Sequence, residues 1–150
     1  MYEQYLLQEL NLLQSRTKNR GGNKLRTNNK LKSHFKIEPY LSEVENPNHR
    51  RAITLLRLSS HQLNIESQKG ISNPSERLCN KCTLNETEDE LHFTMKCQRC
   101  NSHRQELMNK ISNSNTQSLS QENIWIKTNE DKSVCKLLGN FLFTCFDIRN

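Results

Sequence analysis

The chain has 150 residues, a formal net charge of +6 and only 33% hydrophobic residues. This length suits one domain, or one domain with an extension, and the low apolar content predicts a modest core that a bound metal ion would help to stabilise. No apolar run approaches the ~20 residues that a membrane-spanning helix needs, so we expect no membrane partner.

The excess of positive charge lies near the N-terminus. Residues 1–36 contain eight Lys or Arg and two Glu, whereas the remainder of the chain is charge-balanced. We assign these residues to an N-terminal unit in which an amphipathic helix, predicted over residues 2–17, leads into a basic segment. This basic segment, residues 16–36, contains no acidic residue. It is typical of a polyanion-binding surface and equally of a solvated linker.

Residues 37–113 are predicted to form a helical domain. Asn46 followed by Pro47 is a helix-capping pattern, and it predicts a helix that runs to about Leu63. Gly, Pro, Ser and Asn residues over 64–78 predict a loop after it. The basic residues expected on the outer face of the helix are His49, Arg50, Arg51 and Arg57.

Two shorter helices are predicted after this loop. Residues 87–90 have the Thr-x-x-Glu pattern of a capping box, which predicts a helix from Glu88 to near Cys97. A second helix is predicted from about Gln98 to Ile111.

Residues 114–150 are predicted to be a mobile linker and a C-terminal amphipathic helix that packs on the domain. Apolar residues between Val134 and Ile148 define one face of this helix, and Asp131 near its start suits the helix dipole. The predicted fold is therefore mainly α: a small helical domain with an inserted Cys-Cys-His-Cys zinc knuckle and little or no β structure. Any strand should lie in the knuckle, near residues 78–84.

The motif behind this prediction is Cys79-x2-Cys82-x9-His92-x4-Cys97. Two thiolates with two residues between them suit a tight knuckle, and an imidazole and a thiolate can follow from a helix. This spacing is the one that a tetrahedral zinc ion needs. Four protein ligands leave no open coordination position, so the motif favours a structural zinc site over a catalytic one.

A competing ligand set replaces His92 with Cys100. The spacing Cys79-x2-Cys82-x14-Cys97-x2-Cys100 is also a zinc pattern. The predicted helix before Cys97 favours the set with His92, and Cys100 then becomes a small buried residue. Cys135 and Cys145 lie on the apolar face of the last helix, which indicates packing in the core for both.

The sequence carries no sign of catalysis. A glycine-rich phosphate loop, a Gly-x-Ser-x-Gly turn, a paired-aspartate polymerase motif and the deaminase motifs are all missing, so we expect no enzymatic activity, no catalytic residue and no small-molecule substrate. The start at Met1 is not a basic stretch before an apolar block, so we expect no signal peptide. Free cysteines then indicate a reducing compartment, nuclear or cytoplasmic.

Over roughly residues 24–105 the chain resembles the zinc-binding region at the C-terminus of reverse transcriptases from non-LTR (LINE-type) retrotransposons. The short matching stretches are Lys24–Thr27, Phe35–Lys36, Glu38–Leu41, Arg50–Ala52, Leu58–His61, Leu63, Ile65–Glu66, Arg77–Cys79, Cys82, Glu88–Glu90, His92–Phe93 and Cys97. Residues 146–149 of the closing helix are similar as well.

The resemblance implies the ligands Cys79, Cys82, His92 and Cys97, and it implies that the region helps to hold the element's RNA or target DNA. The family's full proteins carry a polymerase upstream and often an endonuclease before it, and neither is present in this sequence. A polymerase domain or another protein is therefore a second expected partner, besides RNA or DNA.

The sequence favours a zinc-stabilised, non-catalytic module that binds RNA or DNA with weak sequence specificity. A structural or protein-interaction module, or a relic fragment whose zinc only supports folding, is the alternative, motivated by the wide apolar face of the last helix. The residues predicted to contact nucleic acid are Arg16, Lys18, Arg20, Lys24, Arg26, Lys30, Lys32, Lys36, Arg50, Arg51, Arg99 and Arg104.

Overall fold

A computed structural model describes Thr27, residues 37–112 and residues 131–150. The helix predicted over 2–17, the basic segment and the predicted linker lie outside these described residues, apart from Thr27. Five α-helices are described: α1 Pro39–Glu43, α2 Pro47–Arg57, α3 Asn64–Ser67, α4 Asn101–Ser112 and α5 Lys132–Arg149.

The fold is mainly helical, as the sequence predicts. Short 3-10 turns at Pro74–Glu76 and Gln98–Cys100 and a π turn at His92–Lys96 join the longer helices. Within the described residues, the β structure is one antiparallel bridge between Leu78 and Thr87, so it is confined to the knuckle region.

Helix α2 begins as predicted but ends earlier. The Asn46 carboxamide oxygen accepts the amides of Asn48, at 2.9 Å, and His49, at 3.4 Å, which caps the helix start. The helix stops at Arg57 instead of Leu63, because Ser59 adopts a left-handed backbone conformation with φ of 49°. This conformation closes a Schellman motif, in which the next amide returns to a carbonyl one turn back.

The Schellman motif directs the chain toward the knuckle. The Ser60 amide donates to the Leu55 carbonyl at 2.9 Å, and the Ser59 amide donates to the Leu56 carbonyl at 3.2 Å. The Ser59 hydroxyl donates to the Glu90 carboxylate at 2.7 Å, so a hydrogen bond supports a backbone conformation that serine rarely adopts.

Helix α5 is the centre of the core. Its N-terminus is capped by Asp131, whose carboxylate accepts the Ser133 amide at 2.8 Å, and its apolar face packs against α1, α2 and α4. None of the helices in the described part of the chain is both long and apolar enough to cross a membrane. The most deeply buried apolar residues of the core are Val44, Leu56, Leu63, Phe93, Cys100, Val134, Cys135, Leu138, Leu142 and Cys145.

Arg57 is buried in the structure, although the helical pattern placed it on the exposed face of α2. Its guanidinium lies 2.7 Å from the Glu38 carboxylate and 5.4 Å from the ring centroid of Tyr40. The buried arginine therefore anchors the start of α1 onto α2, and it is not available to an outside partner.

Gly139 allows α2 and α5 to approach closely. A Cβ atom added there would lie 3.0 Å from the His49 Cβ and 3.3 Å from the Ile53 Cδ1. Both neighbouring atoms belong to α2, and the His49 Cβ cannot move unless the backbone of α2 moves with it. The helices would therefore have to separate to admit a methyl group.

We expect Gly139→Ala to lower the free energy of unfolding by about 1–3 kcal/mol, because of this overpacking. The control is Gly70→Ala, where the added methyl would meet nothing within 4 Å. Urea denaturation followed by circular dichroism measures both variants. Equal stability of the two would show that α2 and α5 do not pack as closely as described.

Candidate metal centre

A tight turn of the backbone brings Cys79 and Cys82 together. The Cys79 amide donates to the Glu86 carbonyl at 2.8 Å, and the Glu88 amide donates to the Arg77 carbonyl at 2.9 Å. These bonds close residues 79–86 into a loop, which we call the knuckle. Asn85 accommodates its reversal with a φ of 51°, a conformation that asparagine tolerates better than most residues.

The other two candidate ligands follow on one helical segment. Its helical residues begin at Glu90 instead of the predicted Glu88, and the Asp89 carboxylate caps the segment by accepting the His92 amide at 2.7 Å. The segment ends in a π turn, in which the Cys97 amide donates to the His92 carbonyl at 2.7 Å. This wider turn places His92 and Cys97 on the side that faces the knuckle.

The four predicted ligands come together. Ligand atoms of Cys79, Cys82, His92 and Cys97 all lie within 4.8 Å of one another, and this cluster could hold a metal ion. Cys82 Sγ and His92 Nε2 are 3.4 Å apart. A tetrahedral zinc site with ordinary bond lengths has S–N edges of about 3.5 Å and S–S edges of about 3.8 Å. The donor set and spacing therefore fit a zinc ion after a small contraction.

The cluster is shielded from solvent. Cys79, His92 and Cys97 are buried and Cys82 is half-buried. Burial raises the pKa of Cys79 to about 12, and it also raises the pKa of Cys97, because desolvation disfavours the thiolates. A cation would supply the missing counter-charge, so metal uptake at neutral pH would release thiol protons.

Glu86 orients the imidazole of His92. Its carboxylate lies 3.4 Å from His92 Nδ1, on the side of the ring opposite the cluster, and 2.9 Å from the Lys96 ammonium. The hydrogen bond from Lys96, followed by that from His92, lowers the pKa of Glu86. An ionised carboxylate on Nδ1 selects the tautomer whose Nε2 lone pair faces the cluster, as in carboxylate–histidine–metal arrangements.

A buried ion pair joins the cluster to the C-terminus of α5. Glu88 is 1% exposed, and its two carboxylate oxygens accept from Arg149 at 2.7 and 2.8 Å. The same carboxylate accepts the Asn64 amide at 2.7 Å and lies 3.7 Å from Cys79 Sγ. The hydrogen bond between Arg149 and Glu88 raises the pKa of the Arg149 guanidinium. One carboxylate thus holds α3, α5 and the knuckle in register.

Arg104 also supports the cluster, although the sequence placed it among the nucleic-acid contacts. It is 7% exposed, and its guanidinium donates to the Thr94 and Cys97 carbonyls, each at 2.8 Å. These carbonyls lie in and after the π turn, so Arg104 fixes the backbone that presents Cys97 and has no free face for a phosphate.

The competing ligand Cys100 lies in the core. It is 1% exposed and hydrogen-bonds Cys145 on α5, a contact that lowers the pKa of Cys100 and raises that of Cys145. Cys135 and Cys145 are each fully buried, in agreement with the packing role that their spacing predicts.

Besides Arg104, three of the residues predicted to contact nucleic acid lie in the described part of the chain. Arg50 is half-buried and donates to the Leu41 carbonyl at 3.1 Å, Arg51 is exposed on α2, and Arg99 is exposed and donates to the Ile148 carbonyl at 2.7 Å. The eight basic residues of the basic segment lie outside the described residues. Sequence reasoning missed the supporting roles of Glu86, Glu88 and Arg149. For the two glutamates, their position within the cysteine motif was the available signal.

In comparisons with known proteins, no protein-family model, no curated protein and no solved structure matches the chain.

We expect His92→Ala and Cys79→Ser each to abolish stoichiometric metal binding and to unfold the middle of the chain, because metal binding supplies folding energy in such a site. The control is Cys100→Ser, which should retain the metal. Elemental analysis of purified protein and circular dichroism report the two effects. Loss of metal in Cys100→Ser, together with its retention in His92→Ala, would assign the fourth ligand to Cys100.

We expect Arg149→Met to lower the free energy of unfolding by about 3 kcal/mol, because it leaves the Glu88 carboxylate buried without its cation. The double variant Arg149→Met/Glu88→Gln should recover part of this loss, since the uncompensated charge is gone. Denaturant unfolding of the metal-loaded parent protein, the two single variants and the double variant measures the interaction between the two side chains. Strict additivity of the two substitutions would contradict a direct interaction.

Proposed function

We propose that the chain is a zinc-stabilised, non-catalytic module that binds RNA or DNA with weak sequence specificity. The observation that carries this proposal is the cluster of Cys79, Cys82, His92 and Cys97. Three thiolates and one imidazole complete a tetrahedral shell, so the metal would stabilise the fold and leave no coordination position for a substrate. The resemblance to the zinc-binding region of LINE-type reverse transcriptases supports the same assignment.

The distribution of charge supports nucleic acid as the partner. Residues 37–112 contain ten Lys or Arg and ten Asp or Glu, so the net positive charge of the chain comes from the basic segment. Five of the six lysines in the described residues already lie within 3.4 Å of a carboxylate. The folded part is therefore a neutral frame, and the basic segment would supply the phosphate contacts.

A protein-docking role for the last helix finds less support. The apolar face of α5 motivated that alternative, but this face packs against α1, α2 and α4 within the chain. Val134, Leu138 and Leu142 are each at most 1% exposed. The face therefore completes the module's own core and leaves Phe143 as its exposed large apolar side chain.

We expect the zinc-loaded chain to bind single-stranded and duplex RNA and DNA at low salt, with an affinity that falls steeply as salt rises. Replacing the eight basic residues of the basic segment by glutamine should remove most of this binding. Fluorescence anisotropy at several salt concentrations measures both. A salt slope near zero, or full affinity after neutralisation, would contradict the proposal.

The control neutralises Lys110 and Lys132, which lie on the described surface and pair with Glu106 and Glu43. Their loss should change affinity little, since these charges are already compensated. Absence of any binding at low salt would instead leave the metal as a purely structural element and favour a protein partner.

A further inference from the structure

A cleft of about 290 Å³ opens between α2 and the C-terminal half of α5. This volume is near the lower end of the range for sites that take small ligands. The hollow that Lys110 of α4 lines is a separate one, with a different set of α5 residues in its wall. Besides Arg149, the walls of the cleft contain the guanidinium of Arg51, the rings of Phe143 and Phe146 and the carboxylate of Asp147.

Two phenyl rings of α5 form one wall. Phe143 is 40% exposed, with its inner edge against His49 at a ring-centroid distance of 5.5 Å. Phe146 lies one turn further along and stacks on Phe93 at 4.8 Å, so its position is fixed by the core. A large exposed aromatic ring beside a fixed one is the arrangement on which a nucleobase can stack.

Arg51 forms the opposite, polar wall. It is exposed, lines the cleft from α2, and has no hydrogen-bond or ion-pair partner among the residues that the structure describes. The other arginine that lines the cleft, Arg149, is already paired with the Glu88 carboxylate. Arg51 can therefore offer its whole guanidinium to a phosphate without first breaking a contact with another described residue.

Asp147 adds one acceptor at the rim. Its exposed carboxylate also lines the cleft. A carboxylate repels phosphate but accepts hydrogen bonds from exocyclic amino groups, such as the N4 amino group of cytosine. The cleft thus separates a position for an anion from a position for an amino-bearing base.

We propose that this cleft is a subsite for one unpaired nucleotide of a single-stranded nucleic acid, with the base on Phe143 and a phosphate on Arg51. The inference rests on the proposed function and adds a stacking contact to a binding mode that is otherwise electrostatic. Cytosine and adenine are preferred over uracil because they carry an amino group for Asp147.

Two kinds of probe test the subsite on the full zinc-loaded chain: fluorescein-labelled octamers, one of cytidylate and one of uridylate, and free cytidine monophosphate. We expect Phe143→Ala to weaken binding of the cytidylate octamer about tenfold. Phe143→Tyr should restore it, because tyrosine keeps the ring. Arg51→Gln should weaken binding and reduce the salt slope by about one phosphate contact. Lys110→Gln is the charge-matched control and should leave affinity unchanged.

The outcomes separate this inference from the proposed function. Octamer binding that depends on the basic segment but not on Phe143 would overturn the subsite and leave the proposed function standing. Octamers that fail to bind at low salt would overturn both the subsite and the proposed function, because the subsite is proposed for a nucleotide within a strand. Cytidine monophosphate that shifts the nuclear magnetic resonance signals of Phe143 and Arg51 while the octamers fail would then mark a site for free nucleotides, which is not the site proposed.

Discussion

The carboxylate of Glu88 is the constraint on which the rest of the structure depends. A buried charge must be compensated, and this one is compensated by atoms from two distant parts of the chain, Arg149 and Asn64. Because Glu88 follows the knuckle and lies against Cys79, satisfying its charge also fixes where the first candidate ligand lies. The metal cluster and the end of α5 therefore form one cooperative unit, although they are about sixty residues apart in sequence.

The core and the metal cluster meet along α5 and stabilise each other. Cys145 on α5 contacts Cys100, which follows the candidate ligand Cys97 by three residues, while Phe146 stacks on Phe93, the residue after His92. A chain with few apolar residues has a small core, and a metal ion would add free energy of folding where that core ends. The polar supports Glu86 and Arg104 then set ring and backbone orientation, which apolar packing alone does not specify.

Local signals in the sequence predict local structure well here. The caps at Asn46 and Asp131 and the cysteine spacing each involve neighbouring residues, and the structure contains all three. The errors about single side chains arise where a long side chain reaches outside its own helix: Arg57 reaches Glu38, and Arg104 reaches Cys97. Helical periodicity records the direction of a side chain but not its partner, so a charged residue is predicted to be exposed unless the fold is already known.

The basic residues of the described part divide into two groups. Arginines near the cluster, such as Arg104 and Arg149, donate to carbonyls or a buried carboxylate, and their planar guanidinium suits these several simultaneous bonds. The lysines in the described residues are mostly compensated at the surface, so the folded frame itself offers little net attraction to a polyanion. In the function that we propose, attraction at long range would come from the basic segment, whereas selectivity would require a shaped surface on the frame. Among the described residues, the cleft beside Phe143 combines an uncompensated cation with exposed aromatic area, the two properties that a contact with a single nucleotide needs.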